Sequence, residues 1–327
     1  MTTKPLLQVR NLKTHFFTHN GVAKAVDDVS FDIDPGEMVG IVGESGSGKS
    51  VTARSIMRIV PDPPGKIVGG SIVFDGRALL ELSDKQMQDV RGNQISMIFQ
   101  EPMTALNPVY TVGYQLREVI LKHQHNTKTQ AFALAEEMLR LVGIASPGQR
   151  LKEYPFQMSG GMRQRVIIAM ALACRPKLIL ADEPTTALDV TIQAQILKLI
   201  RELSDDLGTA MLLITHDLGV TAETVERVLV MYAGQVVEEA SADELFENPL
   251  HPYTDGLMIS MPSLSSDLTK DSGRLTEIPG VVPNLTNLPT SCYFYARCPK
   301  RTDLCLKQIP ELKSLENGRK VRCILYE

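Results

Sequence analysis

With 327 residues, 43% of them hydrophobic and 22% charged, the chain can build one sizeable α/β core plus an appended unit, and its composition excludes a disordered protein. A net charge of -4 supplies no basic face, so no nucleic-acid partner is expected. No stretch approaches the roughly 18–20 apolar residues of a membrane span (the longest run is Val166–Cys174), and Met1–Pro5 shows no signal-peptide character. The expectation is a chain that stays where it is made and reaches any membrane by docking on separate spanning subunits.

In chain order, Met38–Val42 is a short apolar run that predicts a strand. A Gly-rich loop follows, and helix formers run from Lys49 to Ile59. The loop, Gly43-Glu-Ser-Gly-Ser-Gly-Lys-Ser50, fits the G-x-x-x-x-G-K-S/T phosphate-binding pattern. Gly43, Ser45, Gly46 and Gly48 let backbone N–H groups wrap the β- and γ-phosphates. Lys49 adds charge, and Ser50 ligates magnesium at the start of a helix whose dipole also favours anions. A dinucleotide fingerprint is excluded, because the G-x-G-x-x-G spacing is missing.

Ser71–Phe74 and Ile95–Phe99 predict further strands, and Thr111–Val142 predicts a helical stretch with Leu134, Met138, Leu139 and Val142 on one face. His123-x-His125 lies in a polar stretch and reads as a solvated loop. Cys174, on an apolar helix, reads as a buried core residue. Leu178–Asp182 is a buried-strand pattern with an acid at its C-terminal end. In a parallel sheet that end faces the phosphate loop, so Asp182 can hold magnesium and Glu183 can polarise an attacking water as general base. A helix with the stripe Ile192, Ile196, Leu199, Ile200, Leu203 and Leu207 stops at Gly208. Met211–Thr215 and Val228–Tyr232 complete the buried strands. Strands alternating with helices imply a mainly parallel sheet covered on both faces. After about Asn248 Pro and Ser become frequent, and Met261–Ser291 shows no periodicity.

Ser159-Gly160-Gly161-Met162-Arg163-Gln164 opens a second anion-binding helix start, and one chain does not need two for the same phosphate. This segment resembles the signature motif of ABC ATPases, with Met162 where the family usually has Gln. The resemblance implies that Ser159, Gly160 and Gly161 contact the nucleotide held by a facing subunit. It also implies that Gln100 is the Q-loop glutamine, near magnesium, and that Ala187-Leu188-Asp189 is the D-loop. His216 resembles the switch histidine, and Phe16 (or else Phe17) the aromatic residue stacked on adenine. His251-Pro-Tyr-Thr254, Ile278–Pro283, Glu101–Pro108 and Tyr232–Glu238 narrow the likeness to the dipeptide and oligopeptide importers, whose relatives also handle nickel and glutathione.

Cys292, Cys298, Cys305 and Cys323 cluster near the C-terminus. In a reducing cytoplasm such a cluster reads as metal binding, although the C-x2-C pairs of zinc ribbons are missing. Cys298 precedes Pro299, as in bacterial ferredoxin motifs. The resemblance favours a 4Fe–4S cluster, with zinc as the alternative and four unligated thiols as the third reading.

The expected architecture is therefore an α/β P-loop core with a parallel sheet over 1–99 and 170–247. A helical subdomain covers 100–169, and an irregular Cys-rich unit covers 248–327. The resemblance implies an ATPase that binds ATP and magnesium in a head-to-tail dimer with a second such subunit. It would power two membrane-spanning permease subunits from the cytoplasmic face of a bacterial inner membrane, served by an external solute-binding protein. The rival is a soluble ABC ATPase acting on ribosomes or DNA. Such proteins usually carry two cassettes or long coiled coils, and this chain has neither.

Overall fold

The computed structural model describes residues 4–100, 105–186, 188–260, 278–316 and 318–326. The chain falls into two compact units. One takes Met1–Leu7, Asp32–Met38 and Val73–Ile214; the other takes Gln8–Phe31, Val39–Ile72 and Thr215–Glu327. Each unit is assembled from three separate chain segments.

The first unit is built on three parallel strands, Ile95–Ile98, Leu178–Asp182 and Ala210–Ile214, with Ile95 opposite Leu178 and Leu178 opposite Ala210. All three are buried along their length. A parallel strand covered on both faces has no polar side to alternate with, which is why these segments are continuously apolar. Helices Val112–His123, Lys128–Leu141 and Gly160–Leu172 pack on one another. The expected helical stretch from Thr111 to Val142 is thus two helices. Thr127 opens the second with a capping box, its hydroxyl accepting from the Gln130 N–H while Gln130 accepts from the Thr127 N–H. Helix Val190–Leu207 matches expectation, from its Asp189 cap to Gly208 in the left-handed conformation.

In the second unit, Met38–Val42 lies parallel to Arg227–Tyr232. The chain turns and returns antiparallel as Gln235–Ser241. Lys320–Val321 then pairs with Glu238 and Glu239, so the C-terminal residues cover an edge that would otherwise stay open. This region, poor in aliphatic residues, is fixed by charge. The Glu238 carboxylate is fully buried and accepts from Arg319 at 2.7 Å and from the Leu250 and His251 N–H groups at 2.9 Å. Arg322 donates to the Val236, Pro310 and Asp28 carbonyls and to the Asp28 carboxylate, and the Tyr293 hydroxyl donates to Asp27 at 2.9 Å. Buried charges persist only when satisfied in this way.

Several expectations are corrected. The helix from Lys49 ends at Ile56, where Met57 caps it, and Arg58 follows in a left-handed conformation. Ser71–Phe74 is the end of a longer strand, Gly65–Phe74. The long strands Leu7–Thr18 and Gly21–Ile33 were not expected. Cys174 lies past the end of helix Gly160–Leu172 and is only part-buried, because the helix stops before its apolar run does. Residues 101–104 of the expected Glu101–Pro108 motif, Ala187, and 261–277 of the aperiodic stretch lie outside the described residues.

Burial holds the His251 imidazole neutral, lowering its pKa from 6.5 to about 3. Because the folded value is depressed, the unfolded chain binds the extra proton between these limits. Stability is full above pH 6.5 and falls as pH drops towards 3, with a slope of up to about 1.4 kcal/mol per pH unit. His251→Asn should flatten this slope in urea titrations between pH 6.5 and 4; an unchanged slope would show that other groups set it.

Candidate functional site

The loop 43–48 joins strand Met38–Val42 to helix Lys49–Ile56. Gly43 and Gly48 adopt φ of 149° and 103°, and a Cβ on either would lie 2.2 Å from the Met231 carbonyl oxygen or 2.3 Å from that of Ala25. Only glycine fits. At Gly46, also left-handed, the space is open. Gly48 gives the helix no side-chain cap, so the first-turn N–H groups keep the anion-binding role that such termini offer. Lys49 is buried and folds back over the loop, donating to the Gly43 and Glu44 carbonyls at 2.7 and 3.0 Å. Among the described residues the buried Ser47 hydroxyl has no hydrogen-bond partner. A cradle of backbone donors, a lysine over it and Ser50 at the helix start together suit a triphosphate and its magnesium.

In the same unit, Phe16 is half-buried, its ring near the backbone of Gly65, while Phe17 on the same strand is 52% exposed. His216 is exposed, in the segment between Thr215 and the helix Leu218–Thr224 that Asp217 caps. The Thr215 N–H donates to the Ile41 carbonyl, tying this segment to the strand that leads into the loop.

The first unit holds Gln100, Ser159, Gly160, Gly161, Asp182, Glu183 and Asp189. Asp182 is buried at the end of its strand. Glu183 follows with φ of 46°, left-handed for a residue other than glycine. Such a conformation persists where the surroundings over-determine it, and here they do. The Glu183 N–H donates to the Ile214 carbonyl, and its Oε2 accepts from Gln100 Nε2 and Thr186 Oγ1, each at 2.9 Å. Gln100 and Glu183, 83 residues apart, are thus brought together. Ser159 caps helix Gly160–Leu172 through the Met162 N–H. A Cβ on Gly160 or Gly161 would meet Leu188 at 3.5 Å or Ile192 at 3.0 Å, so the glycines lie beside the segment that Asp189 caps.

The four C-terminal cysteines converge. The Cys292 N–H donates to the Cys305 carbonyl at 3.1 Å. Burial, with the charges of Cys305, Cys323 and Cys298 nearby, pushes the Cys292 thiol up to about 11, and burial also raises Cys298. Even so, among the described residues no group of three or more His, Cys, Asp or Glu stands close enough to hold a metal ion. The thiols are within electrostatic reach of one another without forming a ligand shell.

Two contacts at the loop escaped the sequence reading. The Glu44 carboxylate is paired with Arg297, its N–H donates to the Tyr253 hydroxyl at 2.9 Å, and Tyr253 is buried. The motif His251–Thr254 was a signal for Tyr253, though not for its partner.

Two family models match the chain: "ABC transporter" over residues 26–186, and "Oligopeptide/dipeptide transporter, C-terminal region" over 237–305. The chain is 55% identical to a probable peptide ABC transporter ATP-binding protein of Sinorhizobium fredii, over 97% of this chain and 94% of that one. It is 52% identical to the oligopeptide transport ATP-binding protein AppD of Bacillus subtilis, over 98% and 97%. Among solved structures it resembles the ATP-binding cassette MJ0796, dimeric in a post-hydrolysis state bound to ADP and Pi. That likeness has a TM-score of 0.65 and 28% identity, and covers 72% of this chain and 98% of that one. Among the described residues no helix is long and apolar enough to cross a membrane.

The glycine geometry separates two substitutions in one loop. Gly48→Ala must push against the Ala25 backbone and should cost about 2–4 kcal/mol in urea unfolding. Gly46→Ala meets open space and should cost only the left-handed strain, about 1–2 kcal/mol. Equal costs would show that the Ala25 contact does not constrain the loop.

Proposed function

The chain belongs to the ATP-binding subunits of ABC transporters, and from that membership we propose that it hydrolyses ATP to power the import of peptides through separate membrane-spanning subunits. The observation that carries the reading is the loop 43–48. Two of its glycines exclude any side chain, and it leads into an uncapped helix start under a buried lysine.

In this reading the backbone N–H groups of the loop and Lys49 hold the β- and γ-phosphates, and Phe16 stacks on the base. Ser50, Asp182 and Gln100 would hold magnesium, which offsets the negative charge of the phosphates. Glu183 accepts a proton from the water that attacks the γ-phosphorus, and His216 lies against the developing phosphate; ADP and phosphate leave. Gln100, which donates to Glu183, connects the general base to the helical segment 100–169. Ser159, Gly160, Gly161 and Asp189 would serve the nucleotide of a facing copy or homologue, since a second anion-binding helix start has no use on the same phosphate. The functional division is then 1–99 with 170–247 for nucleotide, 100–169 for the signature and permease contact, and 248–327 as the importer-specific region. The chain would act at the cytoplasmic face of the membrane, with two permeases and an external solute-binding protein. The ribosome- or DNA-acting alternative is not favoured, since the matched C-terminal region and the named relatives are those of peptide transport.

We further propose that the four cysteines hold a metal centre, a 4Fe–4S cluster in preference to zinc. The family resemblance supports this; as they stand, among the described residues the cysteines form no group able to hold a metal ion.

Glu183→Gln should keep ATP binding and lower turnover by about 10²–10⁴. Steady-state ATPase of the assembled complex within a few-fold of wild type would remove Glu183 as the base. For the metal centre, anaerobic purification should yield about four irons and matching sulfide per chain, both lost in Cys298→Ser. One zinc per chain would replace the cluster with zinc, and four freely alkylated thiols without metal would end the proposal.

A further inference from the structure

Glu44 is the only acid in the loop 43–50, and each of its polar groups is engaged. Its N–H donates to Tyr253, and its carbonyl accepts from Lys49 at 3.0 Å and from the Ser47 N–H at 3.2 Å. Its carboxylate accepts two hydrogen bonds from Arg297, at 2.7 and 3.0 Å. This fork-to-fork geometry is the strong, directional form of the pair. The Arg297 side chain is only 3% exposed, whereas that of Glu44 is 30% exposed. The guanidinium is held from behind: Nε and Nη2 also donate to the Pro279 and Ile278 carbonyls, and the group lies near the Tyr232 and Phe294 rings. Tyr253 packs against the same two rings. A rigid anchor from the C-terminal region therefore grips the start of the phosphate loop, at the position next to Gly43.

Two physical consequences follow. A free carboxylate at Glu44 would repel a triphosphate seated on the neighbouring N–H groups, and Arg297 cancels it. The direction in which the loop leaves Gly43 is fixed separately, by the Tyr253 contact. We propose that Arg297 is a positioning residue for ATP binding, acting through Glu44, so that the C-terminal region sets the affinity of the phosphate loop for triphosphate. The proposal rests on the reading of residues 43–50 as the ATP site.

The test is ATP titration of the full-length chain. Arg297→Met leaves Glu44 uncompensated beside the phosphates and should weaken ATP binding by about tenfold or more. Glu44→Gln breaks the same pair but removes the negative charge, so it should bind ATP at least as tightly as wild type. The double variant Glu44→Gln/Arg297→Met should return to within about threefold of wild type. A loss in Arg297→Met without one in Glu44→Gln is the diagnostic, since a pair that matters only for folding would give losses in both. Equal losses in both, or wild-type affinity in Arg297→Met, would overturn the proposal. If Arg297→Met does not fold, Glu44→Gln decides alone: weakened binding overturns the proposal and undiminished binding supports it. Lys49→Ala is the control on the site itself. A wild type that binds no ATP, or a Lys49→Ala that binds it undiminished, would overturn the ATP site and this proposal with it. Loss confined to Lys49→Ala would leave the site standing and reject only Arg297.

Discussion

The structure around the proposed nucleotide site depends on the loop 43–48, which in that proposal presents its backbone N–H groups to a polyanion. That demand leaves no room for side chains at Gly43 and Gly48, whose backbones sit against the Met231 and Ala25 carbonyls. The strand Met38–Val42, the neighbouring strand Arg227–Tyr232 and the turn at Gly234 exist in this geometry to form the wall the loop leans on. The Gly234 N–H donates to the Ser47 carbonyl at 2.9 Å, while the Gly234 carbonyl accepts from Asp27. Lys49 closes the arrangement from above.

The same loop explains how the C-terminal region is organised. A short, Pro-rich segment with few aliphatic residues cannot form a core alone. It is built on its own unit through charges whose partners are already placed: Arg297 on Glu44, Arg322 on Asp28, Arg319 on Glu238 and Lys320 on Glu239. Arg297 ends the turn that precedes Cys298, so the cysteine-bearing segment and the phosphate loop share one anchor. In a region stabilised this way, each pair is costly to break singly and cheap to lose jointly.

The parallel strands were legible because burial on both faces leaves an unbroken apolar run, as in Leu178–Asp182. The strands Leu7–Thr18 and Gly21–Ile33 were not, since their buried positions are interrupted by exposed charged and polar residues such as Arg10, Asn11 and Lys24. The break between the helices ending at His123 and starting at Lys128 was encoded in Thr127 and Gln130, a capping signature shorter than the apolar period around it. The tight glycines of the loop 43–48 and the buried strand end at Asp182 were legible because their signals are local. The pairing of Gln100 with Glu183 and of Glu44 with Arg297 was not. Those residues lie 83 and 253 positions apart, and no local pattern carries such a contact. The four cysteines were recognised as a cluster, and the fold does bring them together. Spacing alone did not reveal that the thiols stop short of a ligand shell.

Peptide import driven by this ATPase is tested most directly by reconstituting the chain with its copurifying membrane-spanning subunits in sealed vesicles, together with the solute-binding protein. Uptake of a radiolabelled oligopeptide is then followed with ATP supplied on the side where the chain sits. The account predicts accumulation that requires ATP and tracks its hydrolysis. Vigorous ATPase activity with no uptake of any peptide, in a chain that instead sediments with ribosomes or DNA, would contradict it.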